Sequence, residues 1–462
     1  MITHLWAQHF KSWQDTGAIR MAPLTGLFGA NSSGKTAILQ LLLMLKQTVE
    51  SADRSRVLHT GDELTYADLG TFFDIVYGHK MPGSISFVLH WQLAKPIRID
   101  DPEGKAGQLL FSIENIGFQA TIQGTLKSLV VDQFEYRFEY GGQKYCFGMR
   151  RREDKGADMG KAGYELLSFG YEPKRARGRP WPLPAPVKCY GFPDQVSAYY
   201  QNLGFLSSLV LAFEELFQNV YYLGPLREYP HRSYVWAGEQ PQDVGRRGEW
   251  AVPALLAARA QGKTVSRGKG RRRQTVDGRV AEWLRDLGLV HSFSLQPIAE
   301  NRKEFELRVQ SSPSASEVSV TDVGFGASQI LPVLVLCYYA PEGSTLILEQ
   351  PEIHLHPVVQ AGLADVFIDV IKTRGMQIIV ESHSEHLLRR LQRRVAERGL
   401  TPEQTALYFT GIRDGSSRLD RLELDLFGNI TNWPEHFFGD ELGELSAMTE
   451  AAMQRRLELV EG

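Results

Sequence analysis

The residues most able to do chemistry stand near the N-terminus. Gly29-Ala30-Asn31-Ser32-Ser33-Gly34-Lys35-Thr36 fits the pattern Gly-x4-Gly-Lys-[Ser/Thr], in which backbone N–H groups close around phosphate oxygens. In this pattern Lys35 reaches the β and γ phosphates and the Thr36 hydroxyl ligates Mg2+. With ordinary residue frequencies a chain of this length shows the pattern by chance roughly once in fifty. It therefore points to a nucleoside triphosphate held with Mg2+. A second set lies far along the chain. Asp322 to Gln329 is a glycine turn opening a helix, Leu346-Ile347-Leu348 ends in Glu349-Gln350-Pro351-Glu352, and Ile378-Ile379-Val380 ends in Glu381-Ser382-His383. An apolar strand that stops at an acid is the usual way to place a carboxylate near a phosphate-bound cation.

These groups need elements to hold them. The apolar segment Ile19 to Phe28, the glycine loop and the helical pattern Ala37 to Lys46 give the strand, loop, helix order that a phosphate loop requires. Between Ile85 and Phe147 the apolar residues recur every second position, clearest at Phe134, Tyr136, Phe138 and Tyr140, and Gly141-Gly142 supplies a hairpin turn. This predicts an antiparallel meander with one buried face. Helical patterns follow at Asn202 to Phe217, Trp250 to Ala260 and Ala281 to Leu287, then strands at Ser292 to Ile298 and Glu304 to Gln310. From Ser344 to Thr410 strand and helix alternate, which predicts a mostly parallel sheet covered by helices. The expected class is α/β.

The chain has 462 residues, with 43% hydrophobic and 23% charged, a globular composition that excludes wholesale disorder and fibrous folds. Lys plus Arg number 51 against 54 for Asp plus Glu, a net charge of −3, so the total does not mark a nucleic-acid binder, although a basic face can hide within it. Cys146, Cys189 and Cys337 are too few and too far apart for a disulfide framework. The N-terminus shows no signal-peptide pattern, and the longest apolar run, Ile330 to Ala340, is short for a bilayer span. A cytoplasmic setting without membrane association is expected.

The glycine turn, the acid-ending strand and His383, in this order, resemble an ABC-type ATPase of the SMC, RecF and OLD-like group, found among AAA-family ATPases of bacterial defence and genome-maintenance loci. Glu349-Gln350-Pro351-Glu352-Ile353-His354-Leu355-His356-Pro357 and Glu381-Ser382-His383-Ser384-Glu385-His386 carry the likeness most closely. Tyr222-Leu223-Gly224-Pro225-Leu226-Arg227 matches more weakly. The resemblance implies a P-loop head that binds ATP and Mg2+ and pairs head to tail as a homodimer or higher oligomer. Gly324, Gly326 and Ser328 would then face the partner's γ-phosphate. It also implies Mg2+ held by Thr36 and Glu349, a water-polarising position at Gln350, a γ-phosphate sensor at His383, and an effector protein as partner. No glutamine loop is identified; Asp68 to His79 is the nearest stretch.

Two departures bear on function. Gly324 stands where the family has a serine, and Ser328 offers a nearby hydroxyl. Gln350 stands where the family has a glutamate; a neutral amide accepts no proton, and loss of a general base costs about 10²- to 10⁴-fold. Glu352 is the nearest replacement carboxylate, while small GTPases orient water with a glutamine. Slow hydrolysis is the first expectation, and an ATP-gated scaffold that does not turn over is the second. A third reading makes His354, His356, His383 and His386, with Glu349, Glu352 and Glu381, a metal hydrolase site, though without a helical His-Glu-x-x-His arrangement.

Between Trp250 and Val276 seven cations, Arg259, Lys263, Arg267, Lys269, Arg271, Arg272 and Arg273, occur without an acid. Lys174, Arg175, Arg177 and Arg179 form a smaller run. Either a solvated loop or contact with a DNA backbone accounts for them. The expected organisation is an N-terminal lobe over 1–147, an insertion over 148–290, a C-terminal lobe over 291–435 and an acidic tail over 436–462.

Overall fold

The computed structural model describes residues 1–105, 107–152, 163–176, 182–434, 446–453 and 455. From the N-terminus the strands are β1 Ile2–Phe10, β2 Trp13–Asp15, β3 Ile19–Arg20 and β4 Leu24–Gly29, followed by α1 Lys35–Glu50 and the short α2 Phe72–Ile75. Long strands β5 Gly83–Asp100, β6 Leu109–Gly124, β7 Leu129–Tyr140, β8 Gln143–Arg151 and β9 Tyr164–Phe169 come next. Helices α3 Asp194–Tyr199 and α4 Leu206–Gln218 lead to β10 Val220–Leu223, β11 Tyr234–Val235 and α5 Ala251–Ala260. The hairpin β12 Thr264–Val265 and β13 Gln274–Thr275 precedes α6 Val276–Asp286, β14 Ser292–Pro297, β15 Glu304–Gln310 and β16 Val318–Ser319. The chain closes with α7 Phe325–Tyr339, β17 Thr345–Glu349, α8 Pro357–Arg374, β18 Gln377–Glu381, α9 Glu385–Ala396, β19 Thr405–Arg413 and β20 Ser416–Leu422.

The central sheet runs β10-β17-β18-β4-β19-β20, parallel except for the β19–β20 hairpin. Its strands read as continuous apolar runs because both faces are covered. Successive residues divide between two cores. Leu27, Ile347, Ile379 and Tyr408 enter one with α1, α4 and the antiparallel sheet. Leu24, Phe28, Leu346, Leu348, Ile378, Val380 and Leu407 enter the other with α5 to α9. The protein is thus an α/β fold with the parallel sheet as its middle layer.

The antiparallel sheet runs β2-β1-β5-β6-β7-β8-β9, with β3 on β1. Its meander follows the two-residue periodicity, and Gly141 and Gly142 take positive φ at the β7–β8 turn (59° and 76°), as a two-residue hairpin requires. Phe213 of α4 fills its inner face, with ring centroids 4.7 Å from both Phe118 and Tyr190 and 5.0 Å from Phe217.

The middle of the chain is woven into both sheets. β8 runs past residue 147 and β9 continues the antiparallel sheet, while β10 pairs with β17 over Val220–Leu223. Within the same stretch, Tyr164 of β9 also bridges Leu183, and β12 pairs with β13 apart from both sheets. The apolar run Ile330 to Ala340 lies in α7, buried among core residues. Among the described residues no helix is long and apolar enough to cross a membrane, and the three cysteines are free. Of the acidic tail, 446–453 is helical and exposed; its other residues, except 455, lie outside the described set.

Truncating Phe213 removes the common neighbour of the aromatic cluster. Phe213→Ala is expected to cost about 3–5 kcal/mol, measured as a lowered urea midpoint with an unchanged transition slope.

Candidate functional site

The phosphate loop leaves β4 at Gly29, whose φ is 132°, and enters α1 through Gly34 at φ 96°. Both glycines are also required by space. A Cβ on Gly29 would lie 2.2 Å from the Thr410 carbonyl oxygen, and one on Gly34 would lie 2.4 Å from Ser417 Oγ and 2.8 Å from Ser12 Oγ. The loop is tied to its surroundings as closely as it is packed. Trp13 Nε1 donates to the Gly34 carbonyl at 3.0 Å, Ser33 Oγ donates to the Ala30 carbonyl at 2.8 Å, and Ser33 Oγ meets Thr410 Oγ1 at 2.5 Å. Lys35 is buried, and its ammonium donates to the Gly29 and Ala30 carbonyls at 3.0 and 2.7 Å. Burial pulls its pKa down against the opposing pull of Glu381 and Glu352.

A cavity of about 340 Å³ opens over this loop, lined by Lys11, Ser12, Asn31 to Ala37, Gln40, Gln350, Glu381 and His383. The structure thus brings Gln350 and His383, called from distant sequence segments, to the phosphate loop. Parallel pairing does this, because β18 lies hydrogen-bonded to β4 and β17 to β18, so their carboxyl ends open on one edge. Gln350 takes a φ of 44° directly after β17, and its N–H donates to the Glu381 carbonyl at 2.8 Å. His383 sits exposed on the rim, and burial of part of its ring with the nearby Lys35 charge lowers its pKa, opposed by the Gly29 carbonyl. Lys11 extends the cavity wall; its Nζ donates to Gln40 Oε1 at 2.6 Å and its backbone N–H to the Ile75 carbonyl at 2.7 Å. The Asp68 to His79 stretch thus reaches the site through that bond and through the charge of Asp74 near Lys11.

Three carboxylates gather behind the cavity. Glu349 Oε1 accepts from the Tyr222 hydroxyl at 3.1 Å, and burial together with Glu381 pushes its pKa up to about 7. Glu352 Oε1 accepts from the Ser382 hydroxyl and the His383 N–H, both at 2.7 Å, while its Oε2 is buried without a hydrogen bond. Both Glu381 oxygens accept from the Thr36 hydroxyl, at 3.1 and 2.9 Å. Burial raises the pKa of Glu352 and of Glu381. Besides Lys35, Arg227 is a cation facing them. It is buried, donates through Nη2 to the Glu349 carbonyl at 3.4 Å, leaves Nε and Nη1 unbonded, and is pushed down to about 10 by burial. The sequence pattern marks neither Tyr222 nor Arg227 as a site residue and marks Glu381 only within the histidine set. Their signals were the weak 222–227 match and the acid before Ser382-His383.

Oxygen donors suit Mg2+, and the hydroxyl of Thr36 and the carboxylate of Glu381, both in the cavity wall, are donors of that kind. Such a cation takes few protein ligands and shares the phosphates. Among the described residues no group of three or more His, Cys, Asp or Glu is arranged to hold a metal. His354 and His386 are exposed, and His356 caps α8 by accepting from the Val358 N–H.

Other sequence candidates lie elsewhere. Gly324, Gly326 and Ser328, at the start of α7, do not line the cavity over their own phosphate loop. A Cβ on Gly324 would meet nothing within 4 Å, and its φ of −56° suits any residue, so the packing of this chain does not call for glycine there. In the basic run, Lys263 donates to the Tyr339 carbonyl, Arg267 pairs with Glu282 and Arg259 with Asp277, and Arg273 donates to the Thr264 carbonyl. Lys269, Arg271 and Arg272 are exposed between β12 and β13. This hairpin lies near Thr373 and Tyr339, at the end of the parallel sheet opposite the phosphate loop. Lys174 pairs with Glu103 and Arg175 lies over Tyr200; Arg177 and Arg179 lie outside the described residues.

In the central sheet β18 lies between the phosphate-loop strand β4 and the acid-ending strand β17, so the phosphate-loop motif and both acid-ending strands share one parallel sheet edge. Residues 273–388 match a family model described as the AAA ATPase domain, and residues 400–448 match one described as a protein of unknown function (DUF3696). Comparison with curated protein sequences gives no match. Among solved structures the chain is similar to an Smc head bound to the C-winged helix domain of ScpA, with 11% identity, a TM-score of 0.44, and 92% of this chain and 98% of that chain covered. It is likewise similar to the SMC head domain from Thermotoga maritima, at 10% identity and TM-score 0.40, covering 92% and 99%. A third similarity is to an Smc head domain with an extended coiled coil bound to the C-terminal domain of ScpA, derived from Pyrococcus furiosus, at 11% and 0.42, covering 91% and 96%.

A carboxyl whose folded pKa is raised to about 7 binds more protons in the folded than in the unfolded chain from about pH 4 upward, so stability falls across that window and the loss is complete above pH 7. For Glu349 the loss is on the order of 3 kcal/mol. Glu349→Gln is expected to melt close to wild type at pH 4.5 and above it at pH 8 in chelator, measured by calorimetry.

Proposed function

We propose that this protein is an ATP-driven switch, which binds ATP with Mg2+, pairs head to tail with a second copy, and hydrolyses ATP slowly to control a partner effector. The single observation that carries this reading is the cavity where the phosphate loop, Gln350, Glu381 and His383 converge. In it Lys35 holds the terminal phosphates, replacing the Gly29 and Ala30 carbonyls with anionic oxygens. Mg2+ supplies charge stabilisation to the transferred phosphoryl group. His383 orients that group from the rim, and Gln350 positions the attacking water without accepting its proton. Glu352 is spent on the Ser382 hydroxyl and the His383 N–H, which supports a role in setting the turn rather than as base.

Head-to-tail pairing is supported by Gly324, which its own chain does not require. A glycine at a helix start that opens on solvent suits close approach by phosphate from outside. The energetic logic is linkage: ATP bridging two protomers favours the closed pair by its differential affinity for that state, and hydrolysis removes the bridge. Effector control in anti-phage defence is the biological setting that the motif resemblance suggests. If DNA is contacted by the basic run, the exposed Lys269, Arg271 and Arg272 are the residues free to do it, and affinity falls steeply with salt.

Lys35→Ala is expected to abolish binding of a fluorescent ATP analogue while leaving the circular dichroism spectrum unchanged; retained affinity would sink the reading. Gly324→Leu should bind the analogue as wild type does yet stay monomeric by light scattering in ATP, where the parent doubles its mass. Gln350→Glu should raise steady-state phosphate release by about 10-fold or more, and an unchanged rate would move the water-polarising role away from this position.

A further inference from the structure

The carboxyl ends of β17 and β18 present two acids side by side, since Glu349 and Glu381 are in register across the parallel pair. The sequence places the cation ligand on Glu349, at the end of the apolar strand after the glycine turn. The side chains diverge. Glu349 turns to the Tyr222 hydroxyl at 3.1 Å on β10, the neighbour of β17 on the side away from β4, and it does not line the phosphate-loop cavity. Glu381 stands on the strand hydrogen-bonded to β4, lines that cavity, and receives the Thr36 hydroxyl on both oxygens, at 3.1 and 2.9 Å. Of the two acids, Glu381 is the one hydrogen-bonded to the Thr36 hydroxyl.

Building on the nucleotide reading above, we propose that Glu381, with Thr36, is the protein carboxylate that receives the divalent cation of the bound nucleotide, and that Glu349 is held by Tyr222 as a structural acid. The turn after β18 is fastened for this task. Glu352 Oε1 takes both the Ser382 hydroxyl and the His383 N–H, and the Ser382 N–H donates to the Leu27 carbonyl at 3.0 Å. Glu381 is thus fixed between the phosphate-loop strand and a buried acceptor. Thr36 already gives its proton to this carboxylate, so the lone pairs of the hydroxyl remain available to a cation, and the two oxygen donors lie together in one cavity wall. Hard oxygen ligands of this kind, completed by phosphate oxygens and water, are what Mg2+ selects.

The test is equilibrium binding of a fluorescent, slowly hydrolysed ATP analogue to the full chain, in excess chelator and in Mg2+, for wild type, Glu381→Gln and Glu349→Gln. Glutamine keeps the size and an oxygen acceptor but removes the charge. Wild type is expected to bind more tightly in Mg2+. Glu381→Gln should lose that enhancement, about 10-fold or more, while keeping its chelator affinity; Glu349→Gln should retain it. The Mn2+ electron paramagnetic resonance signal of the analogue complex gives a second readout, expected to persist in Glu349→Gln and to weaken in Glu381→Gln. Should Glu381→Gln unfold, Glu381→Asp takes its place, with a reduced enhancement expected. An enhancement lost in Glu349→Gln and kept in Glu381→Gln, or lost equally in both, overturns the assignment while leaving nucleotide binding intact. Failure of wild type to bind the analogue in either buffer overturns the nucleotide reading and this assignment with it.

Discussion

The phosphate loop is gripped between two sheets, and the rest of the molecule is arranged around that grip. Trp13 and Ser12, in the turn and strand that follow β1, close on Gly34 from one side; Thr410 on β19 and Ser417 on β20 close on Gly29 and Gly34 from the other. Neither glycine has room for a single carbon more. A loop of eight residues with several φ angles in the left-handed region does not hold such a shape alone, because each ordered residue costs about 1–2 kcal/mol of backbone entropy. Its conformation is therefore a property of how the antiparallel and parallel sheets dock. The aromatic packing around Phe213 and the alternating strand residues that feed two cores serve that docking.

Behind the loop, the sheet edge gathers three buried carboxylates against the buried cations Arg227 and Lys35. Glu349, Glu352 and Glu381 all have raised pKa values, and Arg227 has a lowered one, which is the signature of burial dominating over pairing. Such an arrangement stores unfavourable desolvation in the empty protein. A cation at this edge would relieve that cost, and the stability lost at neutral pH has the same origin.

The fold was largely legible in the sequence because its signals are local. The loop motif, the two-residue alternation from Phe134 to Tyr140, and the strand and helix alternation after Ser344 each depend on neighbours in the chain. What was not legible is non-local. Nothing near Val220 announces that β10 joins a strand more than a hundred residues away. The place of Glu381 in the cavity wall was hidden for a similar reason. An acid at the end of either of two adjacent strands reads alike in sequence, and only the strand order, with β18 next to β4, separates them. Arg227 carried no charge pattern of its own; its role comes from burial. In the basic run the sequence showed the charge but not that Lys263, Arg267 and Arg259 are tied into the fold, which leaves the hairpin tip as the exposed portion.

The pocket over the phosphate loop is lined from Lys11 to His383, and the loop is braced as far on as Ser417. During synthesis the motif therefore leaves the ribosome long before its supports exist. Until β19 and β20 are made, Gly29 and Gly34 lack the walls that define them, and Lys35 has no formed site. Contacts of such long sequence separation are slow to form. A growing chain consequently carries the motif without its walls until β20 has been made, and any product cut short before β20 holds the entire sequence motif without that bracing.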